Sequence, residues 1–255
     1  MRRIYLYNHK KIEKRVFISG EPAHYLKNVL RMGPGSRFYA FDGSGVEYEL
    51  KITKAAGAYI ETDIIEERFS NSRETSISVE LCIALCKTST LENVLKKASE
   101  LGVSKITPFS SSRSVNNIEK LLKKDKIQRW RKIVAEGSKI AGRTKIPEIC
   151  LPLDFNSIIP DGAPGILFWE QSKNDLKKAL SDLLKKINQD TSLRIFIGPE
   201  GGFTEEEKDF AKEKGILIAS LGTRILSVET ATIAALSIIM YELENAGDAD
   251  EHIKL

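Results

Sequence analysis

Cysteine is scarce in this chain: three residues among 255 cannot build a disulfide framework. Cys82 and Cys86 would share one face of a strand, yet no histidine stands near them to complete a zinc site. Buried free thiols, no bound metal and a reducing cytoplasm are therefore expected. No apolar run approaches the length of a membrane span, and the longest, around Ile233–Met240, is broken by Ser237, so no membrane association is expected. Met1-Arg2-Arg3-Ile4-Tyr5 leads into strand-like alternation instead of the apolar core of a signal peptide. Internal repeats and low-complexity tracts are absent. So are the Gly-Lys-Ser/Thr ending of a phosphate loop and the GxGxxG of a dinucleotide turn. What remains is a globular protein whose 42% hydrophobic and 29% charged residues can fill one large domain or two smaller ones.

The net charge of +4 conceals an asymmetry. Residues 1–31 carry a net +6 and residues 119–145 a net +7, which leaves −9 for the remainder. Positive charge gathered in two places suits a polyanion partner. Two solvated helix faces would give the same count.

The stretch Leu193–Met240 carries the most specific chemistry. A short apolar strand (Leu193, Ile195, Ile197) runs into Gly198-Pro199-Glu200-Gly201-Gly202. Thr204-Glu205-Glu206-Glu207 then reads as a capping box opening a helix, with Gly215 at its C′ position. A second strand, Ile216–Ser220, leads to Leu221-Gly222-Thr223-Arg224-Ile225-Leu226 and to a helix that is apolar almost all round. Two loops that leave strand ends and enter helices are where an open α/β sheet holds a small ligand. Three glycines in five residues are costly to order, and such a cluster points either to close backbone–ligand approach or to a tight turn. Glutamates opening the next helix would repel a phosphate, so a neutral or cationic ligand fits better.

Residues 1–72 read as a small β-rich domain. Its candidate strands are Arg3–Tyr7, Arg37–Phe41, Glu47–Thr53 and Ala58–Ile65, with one helix near Pro22–Leu30 and Asp42 fixing an Asp-Gly turn. Ser70-Asn71-Ser72-Arg73 reads as a linker. Residues 73–255 alternate strand and helix. Val79–Leu85, Ile106–Phe109 and Ile166–Trp169 are strands, and Ser89-Thr90-Leu91-Glu92 is a second capping box. A basic helix covers Asp125–Ala141, with Ile127, Trp130, Ile133 and Val134 inward, and another helix covers Leu176–Ile187. That alternation predicts an α/β fold with a mainly parallel sheet covered on both faces.

Several stretches, in order along nearly the whole chain, resemble one family. They are His24-Tyr-Leu-Lys-Asn-Val-Leu-Arg31 with Asp42-Gly43, Ala98-Ser-Glu-Leu-Gly-Val-Ser-Lys-Ile-Thr-Pro with Ser112-Arg113-Ser114-Val115, and Trp130 through Glu136 to Gly142-Arg143-Thr144-Lys145-Ile146-Pro147. The two glycine loops complete the set. Together the chain resembles the small-subunit ribosomal RNA uridine-N3 methyltransferases of the SPOUT superfamily. The resemblance implies a trefoil-knotted methyltransferase domain over 73–255, a PUA-like β-barrel RNA-binding domain over 1–72, and a homodimer with the active site at the subunit interface. S-adenosylmethionine is the implied methyl donor, and 16S rRNA or the 30S ribosomal subunit the implied partner. By carry-over the donor lies against Leu167, Phe168, Trp169, Gly198, Pro199, Glu200, Gly201, Gly202, Leu221, Gly222, Arg224, Ile225, Leu226 and Thr230. Arg224 is the first catalytic candidate, with Arg113 and Glu229 beside it. Arg2, His24, Arg31, Arg113, Lys123, Lys124, Arg131 and Arg143 are the candidate RNA contacts. Two departures stand out: the family usually carries a second arginine where this chain has Ser227, and Gln-Ser-Gly-Arg where it has Ile140-Ala141-Gly142-Arg143. Another RNA nucleotide as target, or a non-catalytic RNA-binding module, are the competing readings.

Overall fold

The computed structural model describes residues 3–70, 73–115, 124–159, 161–174, 176–184, 187 and 191–251. They fall into two compact units, Met1–Glu74 with Ser138–Ile146, and Thr75–Gly137 with Pro147–Leu255.

The first unit is a six-stranded sheet. Its strands are β1 (Arg3–Tyr5), β2 (His9–Ile12), β3 (Arg15–Ser19), β4 (Arg37–Phe41), β5 (Val46–Ala56) and β6 (Tyr59–Phe69), in the order β1-β4-β5-β6-β3-β2. Only β1 and β4 pair in parallel. Alternate residues of β5 point inward, as a sheet with one wet face requires, and two register shifts against β6 curl the pair. Ile4, Leu6, Ile18, Leu26, Phe38, Leu50, Ile52 and Ile60 fill the core. The hairpin β2–β3 escapes sequence reading because Lys10, Lys11, Glu13 and Lys14 mask its alternation. The helix expected over Pro22–Leu30 is shorter and irregular. It is α1 (Gly20–His24) continued by a π-helical turn over Tyr25–Val29.

A sequence-based boundary after residue 72 would leave 138–146 in the C-terminal domain, whereas this segment packs in the first unit. Lys145 bridges Gly43 and Ser44, and Thr144 Oγ1 donates to the Ser70 carbonyl at 2.6 Å. Asp42 holds the turn that receives the segment. Burial opposes ionisation of its carboxyl, but hydrogen bonds from Ser44 and Tyr48 and the nearby His9 outweigh burial and lower its pKa.

The second unit is a wholly parallel sheet of β7 (Ser78–Ala84), β8 (Lys105–Ser110), β9 (Glu148–Ile149), β10 (Leu153–Asp154), β11 (Gly165–Phe168), β12 (Ser192–Ile197) and β13 (Leu217–Ala219). The order is β10-β8-β7-β12-β11-β13, with β9 also on β8. Between the strands run α2 (Thr88–Glu100), α3 (Lys124–Ile140), α4 (Phe155–Ile158), α5 (Leu176–Leu184) and α6 (Glu205–Glu213), and α7 (Val228–Glu251) ends the described chain. Strands covered on both faces lose the alternation of a half-wet sheet: β7 is buried at every residue from Val79 on, Glu80 included, and β11 throughout. Register is pinned by the buried Glu80 of β7, which accepts from Arg194 of β12 at 2.9 Å and from Thr107 of β8 at 2.6 Å. Helix α3 lies close on α2 because residue 137 is glycine: a Cβ there would stand 2.5 Å from the Lys96 carbonyl oxygen. Helix α2 begins one residue before Ser89 and has Lys87 as its N-cap, with no side-chain cap bond, so the second expected capping box is not formed.

Candidate active site

Four adjacent strands of the parallel sheet, β7, β12, β11 and β13, send their C-terminal ends toward one cavity of about 620 Å³. Each contributes its loop. Lys87 and Thr90 follow β7, Trp169 and Glu170 follow β11, Gly198–Phe203 follow β12, and Leu221, Gly222 and Arg224–Val228 follow β13. Parallel strands place their carboxyl ends together, which is why such sheets hold ligands there. The cavity size lies within the range of cofactor pockets.

Local chemistry shapes the β12 loop. Gly202 adopts φ 68°, which side-chain-bearing residues rarely take. Gly201 allows close approach, since a Cβ there would lie 3.2 Å from the Cβ of Arg113. The capping box at Thr204 forms as expected. Thr204 Oγ1 accepts the Glu207 N–H at 3.2 Å, and Glu207 Oε2 accepts the Thr204 N–H at 2.9 Å. Glu200 Oε1 accepts the Lys87 N–H at 3.2 Å, joining this loop to the start of α2. Behind it the Cys86 thiol is pushed up to about 12, first by burial and then by the Glu200 charge. It stays neutral at ordinary pH and offers no thiolate nucleophile near the cavity.

Most of the residues expected around a donor meet here: Phe168, Trp169, Gly198–Gly202, Leu221, Gly222, Arg224, Ile225 and Leu226, with Glu229 beside them. Leu167 does not line the wall, because its side chain is buried in the sheet core. Nor does Thr230; its hydroxyl accepts from Ser227 Oγ at 3.0 Å and its N–H donates back to that Oγ at 3.3 Å. Ser227 thus caps α7. Sequence reasoning missed the polar wall residues Lys87, Thr90, Glu170 and Ser227 and the apolar Ile197, Phe203, Val228 and Ala231. The signal for Lys87 and Thr90 was a third strand end entering a helix.

The basic candidates separate. Arg131 is exposed on α3 beside Lys132, with Ile127, Trp130 and Val134 on the buried side. His24 and Arg31 are exposed in the first unit but do not share a helix face, since Arg31 lies beyond the π-helical turn with φ 53°. Arg113 is turned onto the β12 loop, where Nη1 donates to the Gly201 carbonyl at 2.9 Å. Arg143 is a correction. It is 2% exposed, with Nη2 2.6 Å and Nε 3.1 Å from the Glu74 carboxylate, so it has no face for a phosphate. Lys124 opens α3, while Arg2 and Lys123 lie outside the described residues.

The residues fit a cationic donor. Glu170, Glu200 and Glu229 are on the wall with Phe168, Ile197, Leu226 and Val228, three carboxylates against the two cations Lys87 and Arg224. Among the described residues no cluster of three or more His, Cys, Asp or Glu could hold a metal. No described helix is long and apolar enough to cross a membrane.

Fold and cavity together define an RNA methyltransferase with an appended PUA domain: residues 73–240 match the family model described as RNA methyltransferase domain, and residues 18–64 that described as RNA methyltransferase PUA domain. The chain is 32% identical over 231 residues to ribosomal RNA small subunit methyltransferase E of Bacillus subtilis, covering 89% of this chain and 90% of that one. The Synechocystis protein of the same name is 32% identical over 237 residues, 92% of this chain and 75% of that one. A solved ribosomal RNA small subunit methyltransferase E from Neisseria gonorrhoeae, bound to S-adenosyl methionine, superposes with TM-score 0.80 at 25% identity, covering 95% of this chain and 98% of that one. The chain belongs to the ribosomal RNA small subunit methyltransferase E family.

Proposed function

We propose that this chain transfers a methyl group from S-adenosylmethionine to N3 of a uridine in 16S rRNA, acting in the cytoplasm on the 30S subunit. The observation that carries the reading is the cavity at the ends of four parallel strands, walled by two glycine loops and by carboxylates suited to a cation. Bound there, the donor supplies a methyl group activated by its sulfonium charge. The acidic wall favours that charge over a phosphate, and the loop backbone orients the adenosyl moiety. Uridine N3–H ionises well above neutral pH; its proton passes to bulk water, and the chain must favour the N3 anion that remains. Arg224, on the same wall, does this by directing its guanidinium at the base carbonyls, where negative charge is shared. Holding the nucleophile in line with the methyl contributes much of the remaining acceleration. Glu229, at the start of α7, orients that loop.

The partner surfaces follow from exposure. Ile225 is 89% exposed and Tyr241 66%, with Ile238 on the same terminal helix, and a second copy of the chain covers them. The trefoil knot implied by the resemblance belongs to the same reading. RNA lies along the basic face of α3. Replacing Arg131 and Lys132 by glutamine should weaken RNA binding and lower the slope of log K against log salt by about 1.4 to 1.8. An unchanged slope, read by filter binding across a salt series, returns both residues to ordinary surface.

The function is tested on 30S subunits isolated from cells lacking this chain and, in parallel, on tRNA, each incubated with the purified chain and labelled donor and digested to nucleosides. Label is expected in N3-methyluridine. Label in another nucleoside, or only in tRNA, moves the assignment to a different target, and RNA binding without any methyl transfer leaves a binding module.

A further inference from the structure

We propose that Arg113 is a positioning residue that locks the donor loop, not a contact to RNA; this rests on the reading of the cavity as the donor site. The turn after β8 reaches past the end of β7 to the loop after β12, since the strand order there is β8-β7-β12. It grips that loop in two ways. Arg113 Nη1 donates to the Gly201 carbonyl at 2.9 Å and approaches that of Phe203 at 3.5 Å. One residue earlier, the Ser112 N–H donates to Glu207 Oε1 at 2.8 Å. Glu207 is 7% exposed, and its other oxygen accepts the Thr204 N–H, so one buried carboxylate ties the turn to the start of α6. The stem of Arg113 lies flat on the loop, its Cβ 3.2 Å and Cδ 3.4 Å from where a Gly201 Cβ would stand. On the far side Glu200 is held by the Lys87 N–H.

A segment with three glycines in five residues samples many backbone states when left alone. Only one presents the wall that the cavity has here. Affinity for a ligand falls in proportion to the fraction of molecules in the competent state, so a clamp on Gly201 and Phe203 raises donor affinity without touching donor or base. Arg113 suits this role better than lysine would, because its rigid, planar guanidinium holds Nη1 between the two carbonyls while the stem packs on the loop.

The test uses the full chain with Arg113→Met, which keeps an apolar stem and removes the guanidinium, and Arg113→Lys, which keeps one cationic donor. Titration calorimetry with S-adenosylmethionine should give a Kd about tenfold weaker for Arg113→Met and an intermediate value for Arg113→Lys. KM for the donor should rise with Kd, while kcat at saturating donor and the salt slope of RNA binding stay near those of the unaltered protein. A fall in kcat at unchanged KM would make Arg113 catalytic. A salt slope lowered by about 0.7 to 0.9 with donor affinity intact would make it an RNA contact. A lower melting temperature with none of these shifts would make it merely structural. Each of those results overturns the proposal. If the unaltered protein itself fails to bind the donor, the cavity reading falls; if it binds and Arg113→Met binds equally, only the clamp falls.

Discussion

Replacing Arg224 with alanine is expected to lower kcat by more than about tenfold while donor Kd changes less than about twofold. The methyl electrophile is already activated by its own charge, so the barrier the chain must lower lies on the nucleophile. Removing one donor aimed at developing negative charge costs other enzymes about 10²–10³ in rate. Arg224 is exposed in the single chain, and solvent weakens each of its interactions, so its loss costs less than a donor in a dry site. Arg224→Lys keeps the charge but loses the fork and should fall between the two. Single-turnover assays at saturating donor separate this from a binding defect. Unchanged turnover in Arg224→Ala removes the role assigned to this side chain.

The second large effect is on stability. Arg143→Met should destabilise the first unit by about 3 kcal/mol, because breaking one side of a buried ion pair strands the other charge. Its partner Glu74, only 11% exposed, would lose the guanidinium it now pairs with. The same arginine is held by its backbone: its carbonyl accepts from Arg3 Nη2 at 2.6 Å, and Arg3 in turn pairs with Glu47 and lies over the Phe41 ring at 4.0 Å. Losing Arg143 therefore loosens the segment 138–146 where it joins this unit. Urea unfolding measures the change, and adding Glu74→Leu should recover part of it. A variant with undiminished stability and a lower salt slope in RNA binding would restore Arg143 to the RNA surface.

How the chain divides between legible and hidden follows from range. Short-range chemistry was readable. The capping box at Thr204, Gly215 beyond α6, the Asp42 turn and the amphipathic α3 depend on neighbours within a turn or two of chain, and all are present. The strand–loop–helix succession likewise placed most of the cavity wall, because parallel strands must bring their carboxyl ends to one side. What stayed hidden depends on partners far along the chain. Arg143 finds Glu74, Arg113 finds Gly201, and Ser112 finds Glu207, separations of 69, 88 and 95 residues. A basic residue in a basic stretch reads as surface until such a partner appears. The Ser89 box failed for a related reason: its Ser-Thr-Leu-Glu pattern satisfies a local rule, but α2 starts earlier, at the end of β7, where the loop geometry of the sheet decides.

The central claim is that the loops after β7, β11, β12 and β13 form one site for a methyl-bearing cation. Titration calorimetry of the full chain with S-adenosylmethionine, and separately with its demethylated product, tests it most directly. Saturable binding of both at one site per chain, weakened by Gly202→Val, which would force a branched side chain into φ 68° and to within 3.3 Å of Glu170, is the result expected. No heat from either ligand with properly folded protein, or binding indifferent to Gly202→Val, contradicts it.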